Sequence, residues 1–252
     1  MTTIKKKSLS KKIIEAAKSG NSEQLVVLIK QSKKSIDYSE ALYVASYGGH
    51  TECVKLLISI SDPKSNESLA LEYASENGHT ECVKLLIPAS DPKADKSTAL
   101  RRASENGHTE CVKLLIDVSD SEFNQEALNL ASKGGYTECV KLLIAVSDPK
   151  FNNSKALILA SLNGHAECVK FLIPVSDPKE NNSNALHWSA KKNHIHCVEL
   201  LLPYSDISLW SKKHWININS DMKNIIKSYF SKVSLVENIS LCNNKTSKTR
   251  KI

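Results

Sequence analysis

The decapeptide GHTECVKLLI stands at residues 49–58 and returns unchanged at 78–87 and 107–116. Near copies follow as GYTECVKLLI at 135–144 and GHAECVKFLI at 164–173, and the unit weakens to NHIHCVELLL at 193–202 and GNSEQLVVLI at 20–29. Measured on its cysteine, the unit falls at Cys53, Cys82, Cys111, Cys139, Cys168 and Cys197, spaced 29, 29, 28, 29 and 29 residues apart, with Gln24 a further 29 upstream. Self-similarity at a fixed period of this size marks a chain of stacked supersecondary units, none of which can bury its apolar face alone.

Each unit reads as two short helices. In Thr51 to Ile58, the residues Cys53, Val54, Leu56, Leu57 and Ile58 are apolar, while Glu52 and Lys55 lie three apart on the wet side. The first helix, as in Ser97 to Ser104, carries small residues at Ala99 and Ala103, one turn apart, which lets a neighbouring helix approach closely. Ser97 or Thr98 is expected to cap it. Asn106-Gly107 is expected to end it in a left-handed conformation, with His108 opening the return. A recurring Ser-Asp-Pro-Lys at 61–64, 90–93, 147–150 and 176–179 then forbids further helix and marks the repeat boundary.

These residues resemble the ankyrin repeat, whose pattern runs T-P-L-H-x-A-A-x-x-G-H-x-E-I-V-K-L-L-L. Thr98-Ala99-Leu100 through Ala103-Ser104 and Gly107-His108 through Ile116 follow it without a gap, and Asn184-Ala185-Leu186-His187 keeps its histidine. The period and the Gly-His turn disfavour other helix-pair repeats such as TPR, HEAT or armadillo. The usual ankyrin period is about 33 residues, so about four are missing here, between the second helix and the next first helix. The resemblance therefore implies an all-α, ankyrin-repeat solenoid of about seven helix-turn-helix repeats over 11–202, with truncated β-hairpin fingers. The shortened, SENGH-bearing units are also similar to those of giant DNA viruses of amoebae. A basic N-terminal segment at 1–10 is expected before the array, a C-terminal helical cap at 203–235 after it, and a polar basic tail at 236–252. Leu209, Trp210 and Trp215, and the helix-like spacing of Met222, Ile225, Ile226, Tyr229 and Phe230, carry the expectation of a cap.

Charge separates along the chain. The net +7 divides into +5 over residues 1–12, +7 over 211–252 and −5 between them. A solenoid tracking phosphate along its length would need the opposite balance on its repeats. No apolar stretch is long enough to cross a membrane, and no apolar core follows the N-terminal lysines, so an intracellular protein is expected. Six of seven cysteines share one repeat position, as small core side chains do, which fits a reducing compartment. Asn-x-Ser/Thr sequences at Asn66, Asn152, Asn181, Asn238 and Asn244 carry little weight without an export signal.

His-x-x-Cys recurs five times, from His50/Cys53 to His194/Cys197, and half a zinc site is one reading of it. Turn histidine and core cysteine is the better one, and no metal or cofactor is expected. Phosphate loop, nucleophile elbow and zinc-protease helix are missing from the sequence, so no catalytic residue is nominated. The repeated Glu52, Glu81, Glu110, Glu138 and Glu167 stand at helix starts, where a carboxylate favours the dipole.

Function is expected where repeats differ, and the first helix supplies the variation. At its fourth, fifth and eighth positions stand Tyr43, Val44, Tyr47; Glu72, Tyr73, Glu76; Arg101, Arg102, Glu105; Asn129, Leu130, Lys133; Ile158, Leu159, Leu162; and His187, Trp188, Lys191. Tyrosine, tryptophan and arginine are enriched at binding hot spots. The resemblance implies a concave first-helix face, on which Tyr43, Tyr47, Glu72, Tyr73, Glu76, Arg101, Arg102, Asn129, Leu162, His187 and Trp188 are the candidate contacts for a partner protein. The expectation is a monomeric, non-catalytic protein-protein interaction scaffold without a small-molecule substrate. The alternative is an adaptor tethered to nucleic acid or anionic membrane by its basic termini.

Overall fold

The computed structural model describes residues 2–32, 36–208 and 210–233, and among them there is no strand. They fall into two units that divide between Phe151 and Asn152. In the first unit five helical hairpins follow one another: α1 (Thr2–Lys18) with α2 (Ser22–Gln31), α3 (Ser39–Tyr47) with α4 (Thr51–Ile58), α5 (Ser65–Glu76) with α6 (Thr80–Leu86), α7 (Ala94–Glu105) with α8 (Thr109–Leu115), and α9 (Asn124–Gly134) with α10 (Thr137–Ile144). First helices pack on first helices and second on second, α5 between α3 and α7, and α6 between α4 and α8. The second unit holds α11 (Phe151–Leu162), all but its first residue, with α12 (Ala166–Leu172), and α13 (Glu180–Lys191) with α14 (Ile195–Leu201). It ends in the short α15 (Lys212–Trp215) and a helix over 220–233, α16. Leu209, the tail 236–252 and its Asn238 and Asn244 sequences lie outside the described residues.

The repeated apolar positions form the core. Leu42, Leu71, Leu100 and Leu128 of the first helices and Val54/Leu57, Val83/Leu86, Val112/Leu115 and Val140/Leu143 of the second are all but inaccessible. Each such side chain contributes about 1.5–3 kcal/mol on burial. The cysteines are buried with them, and Thr51, Thr80 and Thr109 place their hydroxyls 3.5 to 3.7 Å from the sulfur of the next repeat's Cys82, Cys111 and Cys139. Burial raises the thiols of Cys53, Cys82 and Cys111 above their ordinary range, and that of Cys197 to about 11. They remain protonated at neutral pH, the state in which sulfur is neither nucleophile nor metal ligand.

The histidine of each turn ties its repeat to the one before. His50, His79 and His108 donate through Nε2 to the carbonyls of Lys18, Tyr47 and Glu76, each at 2.9 Å, and in the second unit His194 does the same to Leu162 at 3.0 Å. The ring lies directly over the preceding glycine: a Cβ on Gly78 would come within 2.4 Å of His108 Nδ1, and Gly78 itself has φ +73°. Tyr136 keeps the ring, over Gly107, without the hydrogen bond. Two asparagines break the pattern. Asn21 stands where later repeats have the histidine and accepts from Gln24 N, capping its own helix. Asn193 stands in the glycine position at φ +62°, with Asn219 Nδ2 donating to its side-chain oxygen at 2.7 Å.

In place of the β-hairpin finger the chain makes a left-handed turn. Asn66-Glu67-Ser68, Asp95-Lys96-Ser97, Asn152-Asn153-Ser154 and Asn181-Asn182-Ser183 each have three consecutive residues at φ between +42° and +64°. Left-handed geometry costs L-residues about 1–2 kcal/mol apiece, and Asn and Asp at its first position resist it least. The serine that ends each turn is buried, and its Oγ accepts from a backbone N–H of the next boundary: Ser68 from Asp91 at 2.8 Å, Ser97 from Asp120 at 2.8 Å, Ser154 from Asp177 at 3.0 Å and Ser183 from Asp206 at 2.7 Å. Ser97 thus serves the following repeat, and Thr98 donates to Asp95 Oδ2 at 2.8 Å, so neither caps its own helix as the sequence leads one to expect. Where the spacing drops to 28, a single 3-10 turn, Ser121–Phe123, replaces the left-handed one, and Asn124 Nδ2 reaches Val146 O at 3.4 Å.

Three substitutions check this account by urea or thermal unfolding. Gly78→Ala is expected to destabilise by about 2 kcal/mol or more, through left-handed strain and collision with the His108 ring. Asn193→Gly, with no following ring to seat, is expected to stay within about 0.5 kcal/mol of the parent. Lys96→Gly, which relieves the exposed middle of a left-handed turn, is expected to stabilise by up to about 1 kcal/mol.

Candidate functional site

The first helices of the first unit bring the varied side chains together. Tyr73 on α5 meets two rings of α3, Tyr43 at a centroid distance of 6.2 Å and Tyr47 at 5.5 Å, both edge to face. Tyr47 is the outermost, 57% exposed. One helix further, Arg102 Nε donates to Glu72 at 3.3 Å and its Nη1 to Glu105 at 3.3 Å. Arg101 pairs with Glu126 of α9 at 3.1 Å and donates to Thr98 Oγ1 at 2.9 Å. Asn129 accepts from Gln125 within its own helix at 3.4 Å. Tyr43, Tyr47 and Tyr73 therefore form an aromatic cluster, Arg102 an ion-pair network with Glu72 and Glu105, and Arg101 a separate pair with Glu126, while Asn129 accepts within its own helix.

The backbone beneath this surface is fixed from behind. Tyr47 and Glu76 are the residues whose carbonyls accept the histidine bonds of His79 and His108, and Leu162 holds the same place in the second unit. Their side chains are free to differ because the repeat constrains only the main chain there. This explains why variation collects at the end of the first helix.

In the second unit Trp188 and His187 meet edge to face. Trp188 is half-buried with Lys191 Nζ 4.7 Å over its ring. His187 turns to the C-terminal segment, its ring 5.7 Å from Trp210, 5.3 Å from His214 and 5.6 Å from Trp188. Trp210 stacks on His214 at 5.8 Å, meets Trp215 at 5.1 Å and donates from its indole to Asn182 O at 2.7 Å. Ile218, Met222 and Ile226 of the same segment are buried, whereas Ile225 is exposed. His187 Nδ1 is buried without a hydrogen-bond partner. Burial, His214 and Lys191 hold its pKa below the ordinary histidine range. Spacing alone put His187 among the surface candidates; its packing against a segment outside the repeat was not encoded in that register.

The outer face of the second helices carries a neutral ladder, with Glu52–Lys55, Glu81–Lys84 and Glu138–Lys141 ion pairs at 2.6 Å. These are exposed pairs of small energetic consequence. No group of three His, Cys, Asp or Glu side chains among the described residues is placed to hold a metal.

All three tryptophans of the chain, Trp188, Trp210 and Trp215, lie in this C-terminal cluster, so their fluorescence reports on it selectively. Because His187 has a depressed pKa when folded, the unfolded segment takes up a proton first as pH falls below about 6.5. The cluster's stability is expected to be full above that pH and to decline below it, and His187→Gln is expected to flatten the slope in denaturant titrations followed by tryptophan emission.

Comparison with known proteins agrees with this geometry. The family model for ankyrin repeats matches three times, over residues 13–97, 88–153 and 128–213. Among solved structures, the human ASB11 ankyrin repeat domain superposes with a TM-score of 0.66 at 19% identity, covering 75% of this chain and 96% of that one. No curated protein matches by sequence.

Proposed function

The chain belongs to the ankyrin-repeat family, whose repeats serve as protein-protein interaction modules, and we propose that it holds a partner protein on the first-helix face of its first unit. Ankyrin-repeat proteins are typically scaffolds without catalysis, and the side chains gathered here are those of a contact surface. The observation that carries the reading is the Tyr43–Tyr47–Tyr73 cluster on successive first helices, followed on the next by Arg102 paired with Glu72 and by Arg101, on a backbone that neighbouring histidines hold still. Preorganised aromatic and arginine side chains bind with less ordering cost than mobile ones. Leu162 and Trp188 offer a separate first-helix surface in the second unit, while His187 supports the C-terminal cluster.

The tethered-adaptor alternative draws on the basic ends. Lys191 over Trp188 and Lys227 5.5 Å from the Trp215 ring give the second unit a cationic, aromatic character of the kind that meets anionic surfaces. No helix among the described residues is long and apolar enough to cross a membrane.

The two readings separate in one experiment. The partner recovered by the tagged full chain from its native cell is titrated calorimetrically against Tyr73→Ala/Arg101→Ala/Arg102→Ala and against a chain trimmed of residues 1–10 and 243–252. The triple variant is expected to lose at least about tenfold in affinity, about 1.4 kcal/mol, and the trimmed chain to keep it. The reverse result, with a steep salt dependence, establishes the tether instead.

A further inference from the structure

The C-terminal helix α16 carries an apolar face that the fold covers only in part. Met222, Ile225, Ile226, Tyr229, Phe230 and Val233 recur at the spacing of one broad side of a helix. Met222 and Ile226 are buried, and Tyr229 and Phe230 are half-buried, their rings meeting edge to face at 5.4 Å. Ile225 and Val233 are exposed, as is Ile216 just before the helix. Packing thus uses the middle of the face in its first turns and leaves one edge and the far end bare.

The same segment is cationic. Between 211 and 233 stand Lys212, Lys213, Lys223, Lys227 and Lys232 against one acid, Asp221. At about 100° per residue, Lys223 and Lys227 border the apolar face of α16 on one side and Lys232 on the other. Second helices of the repeats set a glutamate three residues before their lysine, as in Glu52–Lys55 and Glu81–Lys84. None of the five C-terminal lysines forms an ion pair among the described residues, and Lys227 lies 5.5 Å from the Trp215 ring. An apolar helix face flanked by lysines suits the boundary between lipid headgroups and acyl chains, where apolar burial and attraction to anionic lipid add. A nucleic acid would take the lysines but give Ile225 and Val233 nothing to bury against.

We propose that α16 seats the second unit on an anionic membrane surface, with Ile225 and Val233 entering the headgroup boundary and Lys223, Lys227 and Lys232 among the anionic headgroups. This is a second attachment, separate from the first-helix reading of partner binding, and it stands or falls without it.

Co-sedimentation of the full chain with vesicles provides the test, one set of phosphatidylcholine alone and one with about 30% phosphatidylserine. Binding is expected to the mixed vesicles only and to weaken as salt rises. It is expected to fall about tenfold or more on Lys223→Gln/Lys227→Gln/Lys232→Gln, and likewise on Ile225→Ser/Val233→Ser. It is expected to persist on Tyr73→Ala/Arg101→Ala/Arg102→Ala and in a chain trimmed of residues 1–10 and 243–252. Thermal unfolding followed by tryptophan emission checks that the C-terminal cluster is intact in each variant. No binding to mixed vesicles, equal binding to neutral ones, or loss on trimming with α16 intact would overturn the proposal. So would binding that needs the lysines but is indifferent to Ile225→Ser/Val233→Ser, the behaviour of a site for nucleic acid or an acidic protein.

Discussion

An imidazole laid on a bare α-carbon sets the spacing of this array. The ring of His79 or His108 occupies the space that a Cβ would fill on Gly49 or Gly78, and its Nε2 holds the last carbonyl of the preceding first helix. That carbonyl is one of the groups an α-helix leaves unsatisfied at its C-terminus, so the bond ends one repeat while it positions the next. The contact depends on shape first, for Tyr136 preserves the ring over Gly107 and dispenses with the hydrogen bond. Close approach of main chain and ring then brings the small Ala45, Ala74 and Ala103 into the buried layer between first helices.

The fold was legible because its physical requirements repeat. One cysteine ruler, one glycine and one apolar stripe recur at matching positions, and stacking converts them directly into hairpins. The connection between hairpins was harder to read. Asn66, Asn152 and Asn181 open Asn-x-Ser sequences of the kind that invite a glycosylation reading, whereas the structure uses them as left-handed turns ending in the buried Ser68, Ser154 and Ser183. The signal was present: asparagine tolerates positive φ, and a serine two residues before Ala-Leu recurs at Ser39, Ser68, Ser97, Ser154 and Ser183, with Gln125 the exception where the spacing drops to 28. Ser97 was misread as a cap because its partner, Asp120 N, is 23 residues away and belongs to the next boundary. Local rules cannot see such a bond.

The candidate site was legible only as a register. Counting along the first helix located Tyr43, Tyr47 and Tyr73 on one face, and their ring contacts follow from adjacent helices in equivalent positions. The count could not show that Arg102 would spend its charge on Glu72 and Glu105, or that His187 would turn to the tryptophans outside the repeat. Both outcomes depend on neighbours fixed by packing. The functional division is also physical: residues whose side chains stack between repeats are held alike, and residues whose main chain alone is held are left to vary.

The two asparagines that break the pattern give the array a direction. In the first unit Gly20, Gly49, Gly78 and Gly107 each lie under the ring of the next repeat, so a block of one period could be duplicated or removed inside that series and still find matching partners on both sides. Asn21 has no ring to send back, and Asn193 carries a side chain where a following ring would lie. Growth by internal copying is thus chemically open, whereas continuing the series past Asn193 requires that residue to change as well. The length of the first-helix face can change from within while both boundaries stay in place.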